Sequence, residues 1–193
     1  MTITEPAFAD DVVEQTTVDA AELQRFTPYE LADSWKASVA GSEQADLLGV
    51  LLSAEAERMV AIAVSQIGVA ESGGENRGTP LTRYVHWFSP GSGPVPWCAY
   101  FVSWCWDRAT DSNHRVPWSN PGYCGSIVDW AGRTGHRVSR PQRGDIYVYN
   151  NLSHCGIVES VGTNTFTSID GNWSNRVSRV PGRSFSGYTY IRL

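Results

Sequence analysis

Along the first two-thirds of the chain the apolar positions recur at helical spacing, and after Pro141 they give way to short runs rich in β-branched and aromatic residues. Ala56, Met59, Val60, Ala63 and Ile67 trace one stripe, which predicts a helix beginning at Ser53 and stopping at Gly68. Upstream, Thr27-Pro-Tyr-Glu30 has the order of a helix start, with Pro at the first helical position and Glu two residues on, running toward Gly41. Gln44 to Leu52 predicts a short apolar helix of its own. In Pro94-Val-Pro-Trp-Cys-Ala-Tyr-Phe-Val-Ser-Trp-Cys-Trp106 two prolines hold the approach extended and pre-set the first helical turn. Apolar residues then face almost every side, so this helix must be central. Between it and the preceding helix, Glu71 to Pro96 is too long for a tight turn and holds Tyr84, Trp87 and Phe88, which places it beside a cleft. Asn120-Pro-Gly122 introduces a further helix near Tyr123 to Ala131, closed by Gly132 and Gly135.

Five strands are expected after Pro141: Asp145 to Asn150, His154 to Val161, Thr165 to Asp170, Arg176 to Val180 and Gly187 to Arg192. Turns with Gly, Asn or Pro separate them, which reads as an antiparallel meander. Helices first and sheet last is an α+β layout, with the helix of Cys98 lying across one sheet face. Residues 1–16 are polar, acidic and unpatterned, as a mobile arm would be. The expected division is therefore an arm over 1–16, a helical N-terminal extension over 17–52 and one catalytic domain over 53–193.

Charge sharpens that division. Residues 1–57 hold 12 acidic and 2 basic side chains, and residues 58–193 hold 8 and 13, all 13 of them arginine. An acidic segment thus precedes a basic domain. The basic part suits an anionic polymer such as a cell wall, and the acidic part suits docking to a delivery or assembly partner. The 11% aromatic content and the lack of a basic run argue against a dedicated nucleic-acid binder, and no run reaches the length of a membrane span. The start is acidic with no apolar core of a signal peptide, so the reading is cytoplasmic synthesis without a Sec-type signal.

Cys98 falls in the first turn of the central helix, where unpaired backbone N–H groups and the positive end of the helix dipole favour a thiolate. A lone buried cysteine of the core is the competing reading. His154 opens the second strand after the turn Asn150-Asn-Leu-Ser153, at a sheet rim that a nucleophile on a packed helix can reach. Asp170 ends the neighbouring strand and Asn172 follows two residues later, so both are candidates to orient the His154 ring, although Asp-Gly-Asn is also an ordinary turn. His86, His114 and His136 sit in loop-like context. The cysteines at 98, 105, 124 and 155 lack the paired short spacings of a zinc ribbon, so no metal site is expected. Cys105 lies two turns down the helix from Cys98, too far to bond, and Cys155 is turned by strand alternation away from the face of His154. Cys105 with Cys124 is then the remaining disulfide pairing, opposed by the reduced thiols of a cytoplasmic origin.

Five pieces in order resemble the CHAP domains, the cysteine- and histidine-dependent amidohydrolases and peptidases of papain-like fold. They are Ser65-Gln-Ile-Gly-Val-Ala-Glu71, Pro96-Trp-Cys-Ala-Tyr-Phe-Val-Ser-Trp104, Arg143-Gly-Asp-Ile146, His154-Cys-Gly-Ile-Val-Glu159 and Ile169-Asp-Gly-Asn172. The resemblance is to the kind found in actinobacterial and phage wall-degrading enzymes. It implies N-terminal helices on an antiparallel sheet of about five strands. It implies Cys98 as nucleophile, His154 as base and then acid, Asp170 as orienter and Asn172 as a supporting amide. The substrate implied is peptidoglycan, cut at the muramoyl-alanine amide or in the stem or cross-bridge peptide, by a lysin released at lysis or an effector exported by a dedicated machine. Some relatives in that family hold calcium upstream of the cysteine, but Arg83 to Trp97 contains no Asp or Glu, so neither metal nor other cofactor is implied. A protein-directed cysteine protease or deamidase, and a non-enzymatic wall-docking module, are the competing functions. Trp87, Trp97, Trp118 and Trp173 are candidates for a substrate groove or for core.

Overall fold

The computed structural model describes residues 43–193. The expected acidic arm, the helix running from Thr27 and most of the extension over 17–52 lie outside the described residues. Helix α1 runs Glu43–Ser65 without a break, where two helices meeting near Ser53 were expected. Ser53 has the chemistry of a helix cap, but Ala54, Glu55 and Ala56 follow as good helix formers and neither Gly nor Pro intervenes, so the helix continues through it. Met59, Val60 and Ala63 form its buried stripe, while Ile67 falls beyond its end and is exposed.

A π-helical turn at Leu81–Val85 runs directly into α2 (His86–Phe88). This turn puts Tyr84 at the centre of an aromatic group, 5.5 Å from Trp97, 5.3 Å from Phe101 and 5.3 Å from Trp104 between ring centroids. Helix α3 (Cys98–Thr110) is the central one, with ten of its residues buried, and α4 (Cys124–Thr134) ends at Gly135 in the left-handed conformation that closes many helices. No helix among the described residues is long and apolar enough to cross a membrane.

The sheet is antiparallel with six strands: β1 (Arg137–Val138), β2 (Ile146–Tyr149), β3 (Cys155–Val161), β4 (Thr165–Trp173), β5 (Arg176–Ser184) and β6 (Tyr188–Ile191). Their spatial order is β1-β6-β2-β3-β4-β5, so the expected meander holds only from β2 to β5. The last strand returns across the sheet to pair with β2, matching Ile146 to Ile191 and Tyr147 to Tyr190. β5 is also longer than expected and runs past Pro181. Proline is tolerated there because β5 is the outer strand, where one side of the ladder needs no donor.

Strand alternation gives the sheet two apolar faces. Ile146, Val148, Cys155, Ile157, Ile169, Val177 and Ile191 face the helices and join Met59, Val60, Phe101 and Val102 in one core. Tyr147, Val158, Phe166 and Tyr190 form a second cluster on the other face. Helix and sheet approach closely at Gly171, where an added Cβ would lie 2.6 Å from Cγ of Phe101, so that position requires glycine.

Candidate active site

The site forms where the start of α3 meets the rim between β2 and β3. Trp97 is the cap residue of α3 and is fully buried, its indole N–H donating to Oε1 of Glu71 at 2.8 Å. Glu71 also accepts the backbone N–H of Asn76 at 2.7 Å, so one carboxylate ties the long loop to the start of the helix. Cys98 follows in the first turn with 8% exposure, enough for its sulfur to reach a cleft. That cleft has a volume of about 330 Å³ and is lined by Val95, Pro96, Tyr100, Tyr123, Cys124 and Leu152 beside Cys98.

Three sulfurs meet here. Sγ of Cys98 lies 4.0 Å from Sγ of Cys124, and with Cys155 all three lie within 4.8 Å of one another. All four cysteines are free, and Cys124 stands against Cys98 and Cys155 rather than against Cys105, the one partner that the sequence left open to it. Helix α4 begins at Cys124 and so brings that thiol to the head of α3, whereas Cys105 is two turns further along. Hydrogen bonds from Cys124 and Cys155, and the bond and charge of His154, hold the Cys98 thiol far below the ordinary thiol range against the effect of burial. Burial and the neighbouring Cys98 thiolate push Cys155 well up. Cys124 is raised as well: a bond with Cys155 pulls it down, but the Cys98 thiolate and burial outweigh that.

His154 closes the hairpin that the turn 150–153 makes, its carbonyl accepting the Tyr149 N–H at 2.9 Å, with Leu152 in left-handed conformation at the bend. The strand itself starts one residue later, and alternation sends Cys155 to the helix face while His154 stays toward the other. From there the ring bridges the rim. Its Nε2 lies 3.0 Å from Oδ2 of Asp170, and the ring is close enough to the Cys98 sulfur for each to shift the other's titration. Burial disfavours the imidazolium, yet bonds to Asp170 and Cys98, with the charges of both, raise His154 to about 9. Both shifts favour the thiolate and imidazolium forms of the pair.

Asp170 is fully buried in β4 on the face opposite the helices. Its Oδ2 accepts the Tyr147 hydroxyl at 2.6 Å and a guanidinium N–H of Arg183. Arg183, only 7% exposed, also donates to Ser168 at 2.8 Å and to the Tyr149 hydroxyl at 2.9 Å. Its guanidinium lies 4.6 Å from the Trp173 ring centroid and 4.9 Å from that of Tyr147. Gly156 makes room for the carboxylate, since an added Cβ there would collide with Oδ1 of Asp170 and lie 2.7 Å from the Tyr147 ring.

Of the four residues expected at the site, Cys98, His154 and Asp170 are brought together, with His154 hydrogen-bonded to Asp170 and close to the Cys98 sulfur. Asn172 is not brought to the ring: its side-chain amide donates to Oδ1 of Asn76 at 3.1 Å, and its φ of 59° belongs to the bulge that ends β4. His86, His114 and His136 each bond a backbone carbonyl elsewhere. Trp97 and Trp118 are core, and Trp87 bonds Asp107 at 2.7 Å and stacks on His114. Trp173 alone among those four tryptophans stands at the site, half open, its ring 5.4 Å from that of His154. Tyr147, Arg183 and the two extra cysteines were not singled out beforehand as parts of the site.

A thiol on the first turn of a helix, packed on an antiparallel sheet that carries the histidine and its carboxylate, is the arrangement that the resemblance to papain-like CHAP domains leads one to expect. The family model of the CHAP domain matches residues 90–172. No curated protein matches the chain. Among solved structures it is similar to a mutated form of the Resuscitation Promoting Factor Interacting protein RipA, with 21% identity and a TM-score of 0.46 over 74% of this chain and 64% of that one. A hypothetical invasion protein of Mycobacterium tuberculosis is similar at 20% identity and a TM-score of 0.45, over 75% of this chain and 64% of its own. The peptidoglycan hydrolase RipB of the same organism is similar at 16% identity and a TM-score of 0.46, over 92% and 86%. The chain thus spans under two-thirds of the length of the first two.

Proposed function

We propose that this chain hydrolyses an amide bond of bacterial cell-wall peptidoglycan, with Cys98 as nucleophile, His154 as general acid and base, and Asp170 as the group that orients His154. The observation that carries this reading is Nε2 of His154 held 3.0 Å from Oδ2 of the buried Asp170, with the ring close enough to the Cys98 sulfur at the start of α3 for each to shift the other's titration. The Cys98 thiolate attacks the carbonyl carbon, forming a C–S bond and a tetrahedral oxyanion. Backbone N–H groups of the first turn of α3, which lack partners within the helix, face that charge. His154 gives its proton to the amine nitrogen as the C–N bond breaks, and a thioester remains. A water that loses its proton to His154 then attacks the thioester, the C–S bond breaks, and the carboxylic acid leaves with the thiolate restored.

Asp170 keeps Nε2 engaged, so the other ring nitrogen faces sulfur, and its charge supports the imidazolium. The open cleft beside Cys98 and the half-open Trp173 ring next to His154 suit an extended polymer better than a small molecule. The arginine-only basic content of residues 58–193 suits an anionic wall. We take the protein to act at the wall as a lysin released at lysis or as an exported lytic effector, with residues 1–52 serving a delivery or assembly partner.

Zymography on purified cell walls tests the substrate, and mass spectrometry of the fragments distinguishes a muramoyl-alanine amidase from an endopeptidase. Clearing by the full chain and none by Cys98→Ala is the expected result. Intact walls alongside cleavage or deamidation of a protein target would replace this reading with that of a protein-directed enzyme.

A further inference from the structure

Three elements far apart in sequence deliver one sulfur each to the same point: the first residue of α3 (Cys98), the first of α4 (Cys124) and the first of β3 (Cys155). The three are 8%, 4% and 0% exposed, and their sulfurs lie within 4.8 Å of one another. Catalysis as described uses one of them. Apolar packing does not require three sulfurs in contact, since an Ala or Val fills such a position without a competing thiol beside the nucleophile.

The spacing matches a metal better than a packed core. Zinc–thiolate bonds of about 2.3 Å in tetrahedral geometry set the sulfurs about 3.8 Å apart, and Cys98 and Cys124 already stand at 4.0 Å. Each sulfur sits at the very start of its element, where a side-chain rotation draws it inward without moving the helix or the strand. A nitrogen is also at hand, because the His154 ring lies beside the Cys98 sulfur while its Nε2 is held by the Asp170 carboxylate. A carboxylate behind a histidine is the support that zinc-binding imidazoles ordinarily have. The cleft that exposes Cys98 is lined by Cys124 too, which supplies an entry path.

We propose that Cys98, Cys124 and Cys155 form a thiolate site for a thiophilic divalent cation of the zinc type, with His154 placed to take the fourth position. Binding releases the S–H protons of Cys124 and Cys155 and one ring proton of His154 to water, forms metal–sulfur and metal–nitrogen bonds in their place and occupies the nucleophile's lone pairs, so the loaded protein cannot attack a carbonyl. Metal here silences the site and chelation releases it. The silencing rests on the catalytic reading of Cys98, whereas the site itself does not.

The test titrates Co²⁺ and then Zn²⁺ into the full chain kept reduced with a phosphine. One Co²⁺ per chain, with sulfur-to-cobalt charge-transfer absorption that one Zn²⁺ abolishes, is the expected result. Cys124→Ala and Cys155→Ala should each weaken Zn²⁺ by at least ~10-fold, the lower end of what even outer-shell changes cost, and Cys105→Ala should not. Stoichiometric Zn²⁺ should also slow alkylation of Cys98 by iodoacetamide, and EDTA should restore it. Absence of the charge-transfer absorption in excess Co²⁺, or unchanged Zn²⁺ affinity in folded Cys124→Ala, overturns the site. If neither alanine variant folds, the absorption of the native chain decides alone. Walls left intact by metal-free protein that binds Co²⁺ in this way would count against the proposed function and not against the site.

Discussion

On the helix-covered face of the sheet, Cys98 meets sulfur: Cys124 at 4.0 Å, and Cys155 within 4.8 Å. On the opposite face, Asp170 meets a phenol and a guanidinium, Tyr147 at 2.6 Å and Arg183 beside it. Both sites are buried, yet they hold charge by different means. The thiolate is stabilised by weak S–H donors and by the imidazolium at the rim, and the carboxylate by a buried ion pair and an O–H donor. His154 touches both, so it couples an environment that is soft and nearly apolar to one that is rigid and ionic. The difference teaches that the nucleophile's side relies on polarisable sulfur, whereas the base's side relies on a paired charge: Oδ2 of Asp170 collects the ionic and O–H donors, while Oδ1 of the same carboxylate is buried without a hydrogen-bond partner.

The sharpest way to break the comparison is to remove the link itself. Cys98→Ala and His154→Ala should each lower kcat/KM on cell walls by about 10⁴-fold or more, with the double variant little worse, because groups that act as one unit are strongly non-additive. Losses that multiply would mean that the two do not act together. Next in size is Asp170→Asn, which should lower kcat by about 10²–10⁴-fold by loosening the ring's orientation. It should also destabilise the fold by about 3–5 kcal/mol, since Arg183 is left buried without its anion. Adding Arg183→Met should recover much of the denaturation midpoint and none of the turnover, which would separate the ionic network's structural role from its catalytic one.

A smaller effect is read from pH. His154 is raised to about 9, so turnover should hold through neutrality and fall as pH rises through about 9, where the proton required by the leaving amine is lost. Because Cys98 is held below the ordinary thiol range, its alkylation by iodoacetamide should show no step near ~8.5. In Asp170→Asn the alkaline limb should move to lower pH, and an unmoved limb would show that Asp170 does not support the imidazolium. Smallest is Trp173→Ala, expected to raise KM by about two- to fivefold with kcat nearly kept, in line with loss of an exposed aromatic contact worth ~0.5–1 kcal/mol. A fall in kcat instead would make Trp173 a positioning residue for His154 and Arg183.

The positions of Cys98, His154 and Asp170 were legible in the chain because each falls at a readable boundary, a proline-led helix start, a hairpin turn and the end of a β-branched run, while the roles expected of them came from the resemblance to CHAP domains. Arg183 was not, because Pro181-Gly182 reads as the end of a strand and only the position of β5 at the sheet edge lets it continue. Asn172 shows the reverse. Its place two residues after Asp170 suggested a shared direction, but the bulge at the end of β4 turns its amide toward Asn76.

The α+β class, the central helix and the order of helices before strands follow from periodicity and turn chemistry, which act over a few residues and are written locally. The return of β6 to pair with β2, the meeting of Cys98 with Cys124 and Cys155, and the burial of Arg183 against Asp170 join residues distant in the chain. Those were decided only by the tertiary structure, because which faces pack together depends on the whole sheet closing over one helix, and no local pattern specifies which side chains that closure brings within bonding distance.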